Sequence, residues 1–139
     1  MVERTLSKNT IARIRALHQK KFREEQQLFI AEGNKVVEEL LASPIEVSTV
    51  VATESYLSAH HRLLEGRVGE VMVADQQQME KISTLTTPQE VFAVGCIPDR
   101  QPLSSDLKGG YSILLDDVRD PGNLGTIFRI AHWFGAAHI

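Results

Sequence analysis

Much that would define a function class is scarce or missing in this sequence. There is one cysteine in 139 residues. Cys96 stands among Val91, Phe92, Ala93, Val94 and Ile97, so it reads as a buried thiol rather than a nucleophile, and a reducing, cytoplasmic setting fits. No apolar run approaches the roughly 20 residues that span a bilayer, and Met1-Val2-Glu3-Arg4 lacks the apolar core of a secretory signal, so no membrane is expected. Metal-ligand spacing is absent too. His60 and His61 are adjacent and would project about 100° apart on a helix, while His18, His132 and His138 have no carboxylate or thiol at ligand spacing; no metal is expected. Around Gly122 the Lys and Ser/Thr of a P-loop are missing, as is the third glycine of a dinucleotide fingerprint, which sets aside a nucleotide-phosphate cradle.

What is present is ordinary in bulk and uneven in placement. Apolar residues make up 42% and charged residues 24%, the balance of a globular domain with a real core. The net charge of -3 conceals an asymmetry. Through Arg23 the chain carries Arg4, Lys8, Arg13, Arg15, Lys20, Lys21 and Arg23 against Glu3 alone, and the acidic excess lies in the remainder. A basic N-terminus that binds a polyanion is one reading; a solvated helix face is the other.

Along the chain, Ser7 or Asn9 can cap a first helix that presents Ile11, Ile14 and Leu17 on one face and ends near Phe22. Leu28 to Ala31 forms a short strand, Glu32-Gly33-Asn34 a turn, and Val36, Val37, Leu40 and Leu41 the apolar face of a helix stopped by Ser43-Pro44. Val47 to Ala52 is strand-like, Leu57 to Leu64 helical, Arg67 to Ala74 an alternating strand, Met79 to Ile82 a short helix, and Val91 to Ile97 a last strand. This alternation predicts a three-layer α/β or α/β sandwich domain over residues 1–98.

Residues 99–110 are polar and turn-rich, with Pro102, Ser104, Ser105, Gly109 and Gly110, and read as a linker. Residues 111–139 then supply a strand, a loop and a helix. Ile113, Leu114 and Leu115 suit a strand buried on both faces of a parallel sheet. Pro121 and Gly122 mark the turn, Asn123 stands where an N-cap would, and Ile127, Ile130, Ala131 and Phe134 recur at helical spacing before Gly135. Trp133 and Phe134 read as core or interface. The loop lies at the carboxyl end of a strand, where open α/β sheets place their sites. Gly122 and Gly125 permit close backbone approach, Asn123 offers donor and acceptor, and Arg129 can grip a phosphate bidentately. On spacing alone an ordinary βα turn, with Asn123 as cap and Arg129 in solvent, fits as well.

Asp120, Pro121, Asn123, Gly125 and Arg129 closely resemble the first signature motif of the SpoU (TrmH-like) family of RNA ribose methyltransferases: an apolar strand, Asp-Pro-x-Asn-x-Gly, then an arginine in the next helix. The likeness continues through Ala131 and Phe134-Gly135-Ala136, over about two dozen positions. Earlier segments, Leu6-Ser7-Lys8-Asn9, Lys20-Lys21-Phe22-Arg23, Phe29-Ile30-Ala31-Glu32-Gly33 and Thr87-Pro88-Gln89, resemble the substrate-binding domain that precedes the methyltransferase domain in many members. That domain is similar in fold to ribosomal proteins that bind kinked RNA. Read by themselves, Glu32-Gly33 is a strand-to-helix turn and Thr87-Pro88 a loop entering a strand.

The resemblance implies a parent that is an S-adenosylmethionine-dependent 2'-O-methyltransferase of rRNA or tRNA, cytoplasmic and homodimeric, with an α/β-knot domain. It assigns Arg129 and Asn123 to the catalytic centre and Asp120, Pro121, Gly122 and Gly125 to the motif loop; the uneven charge, read as a polyanion footprint, makes Arg4, Lys8, Arg13, Lys20, Lys21 and Arg23 the candidates for RNA contact. Two further family motifs, which build the cofactor pocket and the dimer interface, do not occur before Ile139. The expectation is therefore an amino-terminal fragment, inactive alone, that binds no S-adenosylmethionine. A non-catalytic RNA-binding module is the alternative.

Overall fold

The computed structural model describes residues 3–99 and 109–139, with side chains from Leu6 onward. Most of the expected linker, and the side chain of Arg4, lie outside the described residues. The chain divides into two compact units, Met1–Asp99 and Arg100–Ile139.

The first unit is built on one five-stranded sheet. Its strands are β1 (Glu3–Thr5), β2 (Leu28–Glu32), β3 (Val47–Ala52), β4 (Val68–Val73) and β5 (Val91–Cys96), in the spatial order β1-β4-β3-β5-β2. β4 runs parallel to both β1 and β3, and β5 runs antiparallel to β3 and β2. Five helices flank it: α1 (Lys8–Ala16), α2 (Lys20–Gln26), α3 (Asn34–Ala42), α4 (Glu54–Leu64) and α5 (Gln76–Ile82). Successive strand residues serve opposite faces, as the pleat requires. Val50, Val71 and Ala93 pack with Val37, Leu41, Leu57 and Leu64 of α3 and α4. Val51, Met72 and Phe92 pack with Ile14, Leu17, Met79 and Ile82 of α1 and α5. The three-layer α/β expectation is met, with all these side chains under 10% exposed.

Three features differ from the expectations. The first helix does not reach Phe22. Ser7 caps α1, accepting from the Thr10 amide at 3.1 Å, but the chain leaves the helix after Leu17 and re-enters it through extended Gln19 (φ -92°, ψ 132°). Arg23 of α2 closes the break by donating from Nη1 to the carbonyls of Leu17 (3.0 Å) and His18 (2.9 Å), two acceptors that a helix end leaves unsatisfied. Cys96, at the end of β5, is half-buried rather than buried; burial, and then Glu46, still push its thiol pKa up. Finally, β1 had no apolar pattern to announce it and forms by pairing Arg4 with Met72 along β4.

In the second unit, Ile113–Leu115 is not a strand. One parallel bridge, Ser112 to His138, flanked by 3.0 Å bonds from the Ile113 amide to the His138 carbonyl and from the Ala137 amide to the Tyr111 carbonyl, is its ladder among the described residues. Leu114 is 96% exposed, so the expected burial on both faces is corrected: a parallel strand needs neighbours along its length, and here one bridge and two amides supply them. The helix α6 (Pro121–Trp133) is present. Its N-cap is Asp120 rather than Asn123, with Oδ2 accepting from the Asn123 amide at 2.6 Å and Pro121 at the first helical position. Of the expected apolar stripe only Ala131 is buried; Ile130 is 51%, Phe134 70% and Trp133 84% exposed. The helix closes at Gly135 (φ 69°), where the Ala136 amide reaches back to the Ala131 carbonyl at 2.8 Å.

Candidate functional site

Three groups of the expected residues can be located. The first is the basic surface of α1 and α2. Lys8, Arg13 and Arg15 are exposed, and their side chains have no hydrogen-bond or ion-pair partner among the described residues. Lys20 and Lys21 are also exposed, but each lies one turn before an acid: Lys20 Nζ is 3.5 Å from Glu24 and Lys21 Nζ 3.8 Å from Glu25. Exposed pairs of this kind are worth only tenths of a kcal/mol, so an incoming phosphate can compete for the lysines. Arg23 is different. Half-buried and bonded to two carbonyls, it holds α1 against α2. Charge counting by sequence could not separate it from its neighbours, because its acceptors exist only where the helix breaks.

The second group joins two distant segments. Glu32 Oε1 accepts from Ser83 Oγ (2.6 Å) and from the Gln89 amide (3.3 Å), and the Gly33 amide donates to the Val91 carbonyl (3.0 Å). The Phe29–Gly33 and Thr87–Gln89 motifs therefore meet, around a glycine whose φ of 102° an L side chain would strain. Beside them Tyr56 donates to Asn34 Oδ1 (2.8 Å) and stacks on His60 with ring centroids 4.1 Å apart. Burial first, then the nearby charges of Glu38 and Glu90, raise the Tyr56 hydroxyl pKa. The Tyr56–Asn34 bond anchors the first turn of α3, and nothing in the sequence signalled it.

The third group is the Asp120 loop. Arg119 is held by Asp117, with Nε 3.0 Å from both carboxylate oxygens and Nη2 2.6 Å from Oδ2; this bond raises the guanidinium pKa. Asp120 is committed to the helix cap. A Cβ on Gly122 would stand 3.1 Å from Asp120 Oδ2, so a side chain there presses on the cap. Thr126 Oγ1 donates to the Gly122 carbonyl (2.9 Å) and accepts from Arg129 Nη2 (3.1 Å). The Arg129 guanidinium is thereby drawn back along α6 over Gly125, where a Cβ would lie 3.6 Å from Nη1. Exposed Asn123 is on the same first turn. Thr126, which sequence reasoning passed over, is the side chain that aims Arg129. Among the described residues no three His, Cys, Asp or Glu side chains converge as metal ligands, and no helix is long and apolar enough to cross a membrane.

Solved structures of RNA methyltransferases share the fold of this chain. Residues 8–93 match the family model of the MRM3-like substrate binding domain. The chain belongs to that family, within the SpoU (TrmH) RNA methyltransferases. It is 34% identical over 116 residues to the Bacillus subtilis 23S rRNA (guanosine(2553)-2'-O)-methyltransferase RlmP, covering 83% of this chain and 44% of that protein. Among solved structures, a Porphyromonas gingivalis protein assigned to the TrmH family of RNA methyltransferases is 37% identical with a TM-score of 0.77, over 94% of this chain and 50% of the other. The AdoMet-bound rRNA methyltransferase of Sinorhizobium meliloti is 34% identical, also with a TM-score of 0.77, over 97% of this chain and 52% of its own. The chain spans about half the length of these relatives.

Proposed function

We propose that this chain is the RNA-recognising part of an S-adenosylmethionine-dependent RNA 2'-O-ribose methyltransferase acting on rRNA or tRNA, and that residues 111–139 belong to its methyltransferase domain. The observation that carries the reading is Arg129, exposed and pinned by Thr126 over the loop that Asp120 opens. Methyl transfer to a ribose hydroxyl requires alignment of the hydroxyl with the methyl donor and removal of its proton. A guanidinium stays protonated in proteins and is a poor base, so Arg129 serves best by holding the RNA phosphate or hydroxyl, with Asn123 orienting the ribose beside it.

S-adenosylmethionine supplies the methyl group in such a reaction. An enclosed site is needed to hold it, and the described residues of the second unit, with Leu114, Trp133 and Phe134 open to solvent, form none. No residue of this chain is assigned to the cofactor, and residues 1–139 alone are proposed to be catalytically silent. The apolar faces that stand open support a larger α/β domain and a homodimer in the whole enzyme.

RNA binding by residues 1–139 is the direct test. Structured RNA should bind with a steep salt dependence, and Lys8→Gln, Arg13→Gln and Lys20→Gln together should flatten the slope of log K against log salt by roughly 0.7 to 0.9 for each phosphate no longer neutralised. An unchanged slope would reduce these cations to a solvated face and leave the RNA-binding reading without support.

A further inference from the structure

Between α1 and the sheet lies a cleft of about 350 Å³, within the size range of small-ligand sites and too narrow for a duplex. Its floor is aliphatic, made by Leu28, Met72 and Val94, and its rim is polar, with Thr10 and Arg13 from α1 facing Ser48 and Thr49 from β3. Ser48 and Thr49 are consecutive, and in a regular strand they would point to opposite faces. They share the cleft because β3 carries a bulge. Val47 pairs with Gly95 but Thr49 with Val94, so Ser48 is the extra residue. The spacing of the core agrees, since Val47 and Val50, three apart, both pack against α3 and α4. Bulges of this kind re-aim side chains and concentrate near functional sites. Ser48, which lines the cleft, donates from Oγ to the Val94 carbonyl (3.0 Å) and so keeps its lone pairs for accepting.

We infer that this cleft binds one unstacked nucleotide of single-stranded RNA, with the base on the Leu28–Met72–Val94 floor and the adjoining phosphate on Arg13. The inference rests on the RNA-binding reading above and gives it a location. A flat ring suits an aliphatic floor, and the Met72 thioether is polarizable and makes favourable contacts with aromatic rings. The Thr10 and Thr49 hydroxyls can donate to or accept from the base edge and the ribose 2'-hydroxyl, and Ser48 Oγ, its proton committed to Val94, can accept. Arg13 at the rim is exposed, and its side chain is without a partner among the described residues. Lys8 and Arg15 lie on the outer face of α1, well round the helix from Arg13. Their long-range attraction favours a polyanion that continues past the cleft over a single mononucleotide.

The test is methyl and amide NMR on residues 1–139, titrated separately with a six-nucleotide single-stranded RNA of mixed sequence, adenosine 5'-monophosphate and inorganic phosphate. The RNA should shift the Met72 and Val94 methyl signals saturably, and phosphate alone should leave them in place. Thr49→Phe, which fills the cleft with a residue suited to a strand, should weaken the RNA about tenfold, with thermal unfolding confirming the fold. Arg13→Gln, on an exposed helix face, should weaken it comparably. RNA that binds without moving the Met72 and Val94 signals, or that binds both variants as tightly as the parent, overturns the cleft while leaving RNA binding intact. Saturable shifts with adenosine 5'-monophosphate but none with the RNA would assign the cleft to free nucleotides and overturn the RNA source. Absence of binding by any RNA removes the reading of the previous subsection and this one with it.

Discussion

Arg129 is positioned by hydrogen bonds rather than by packing, because Thr126 links its guanidinium to the Gly122 carbonyl at the start of α6. Such a residue can be changed without disturbing a core, and surface substitutions usually alter stability by no more than about 0.5 kcal/mol. In the methyltransferase proposed above, Arg129→Ala should therefore lose most of the single-turnover methylation rate at nearly parental unfolding temperature. Arg129→Lys should lose nearly as much, since it keeps the charge but not the planar fork. Near-parental methylation by Arg129→Ala, or a loss matched by unfolding, would return Arg129 to a structural role. At this scale the sequence was legible in part. The residues of the motif are recognisable by type, but the cap was assigned to Asn123 although Asp120 before Pro121 is the stronger signal, a capping carboxylate followed by proline at the first helical position. Arg23 could not be read, since a short break between α1 and α2 decides whether it faces solvent or a pair of carbonyls.

Among the elements, the paired distortion of β3 and β4 explains most of what the sequence left hidden. Both strands show the same irregularity: Val47 and Val50 of β3, and Val68 and Val71 of β4, are three apart yet pack on one cluster. Their mutual register stays unbroken, Val47 with Val68 and Thr49 with Glu70, so the two strands bend together. The bend drives the Ser48 carbonyl toward β4, where a Cβ on residue 69 would stand only 2.8 Å from it. Gly69 permits that approach. Gly69→Ala should cost about 1–3 kcal/mol, the usual range for overpacking, seen as a lower denaturation midpoint with an unchanged m-value. Parental stability in that variant would show that the strands have room to part. Strand extents were legible because β-branched runs and alternation mark them, and Val47–Ala52 is found as expected. The bulge was not, although valines three apart in two neighbouring strands are its trace.

At the scale of the whole chain, burial is distributed unequally between the two units. The first has apolar side chains closed in on both faces of its sheet. In the second, Ala131 alone among the described residues is a buried apolar side chain, while Leu114, Phe128, Ile130, Trp133 and Phe134 are open. Sequence pattern could identify these as apolar faces but not whether anything covers them, since periodicity reports which side of a helix is apolar and says nothing of its partner. The inequality predicts a difference in local stability. In residues 1–139, the amides of Val50, Val51, Val71 and Ala93 should exchange only through global unfolding of the first unit, whereas those of Ile127 to Ala131 in α6 should exchange at least a hundredfold faster. If the proposed longer enzyme packs further elements on α6, they should slow its exchange toward that of the sheet, because the apolar side chains of the helix would then be covered. Hydrogen exchange followed residue by residue makes the comparison, and α6 amides already as slow in residues 1–139 as those of β3 would show that the helix needs no further elements and that its apolar face is a finished surface.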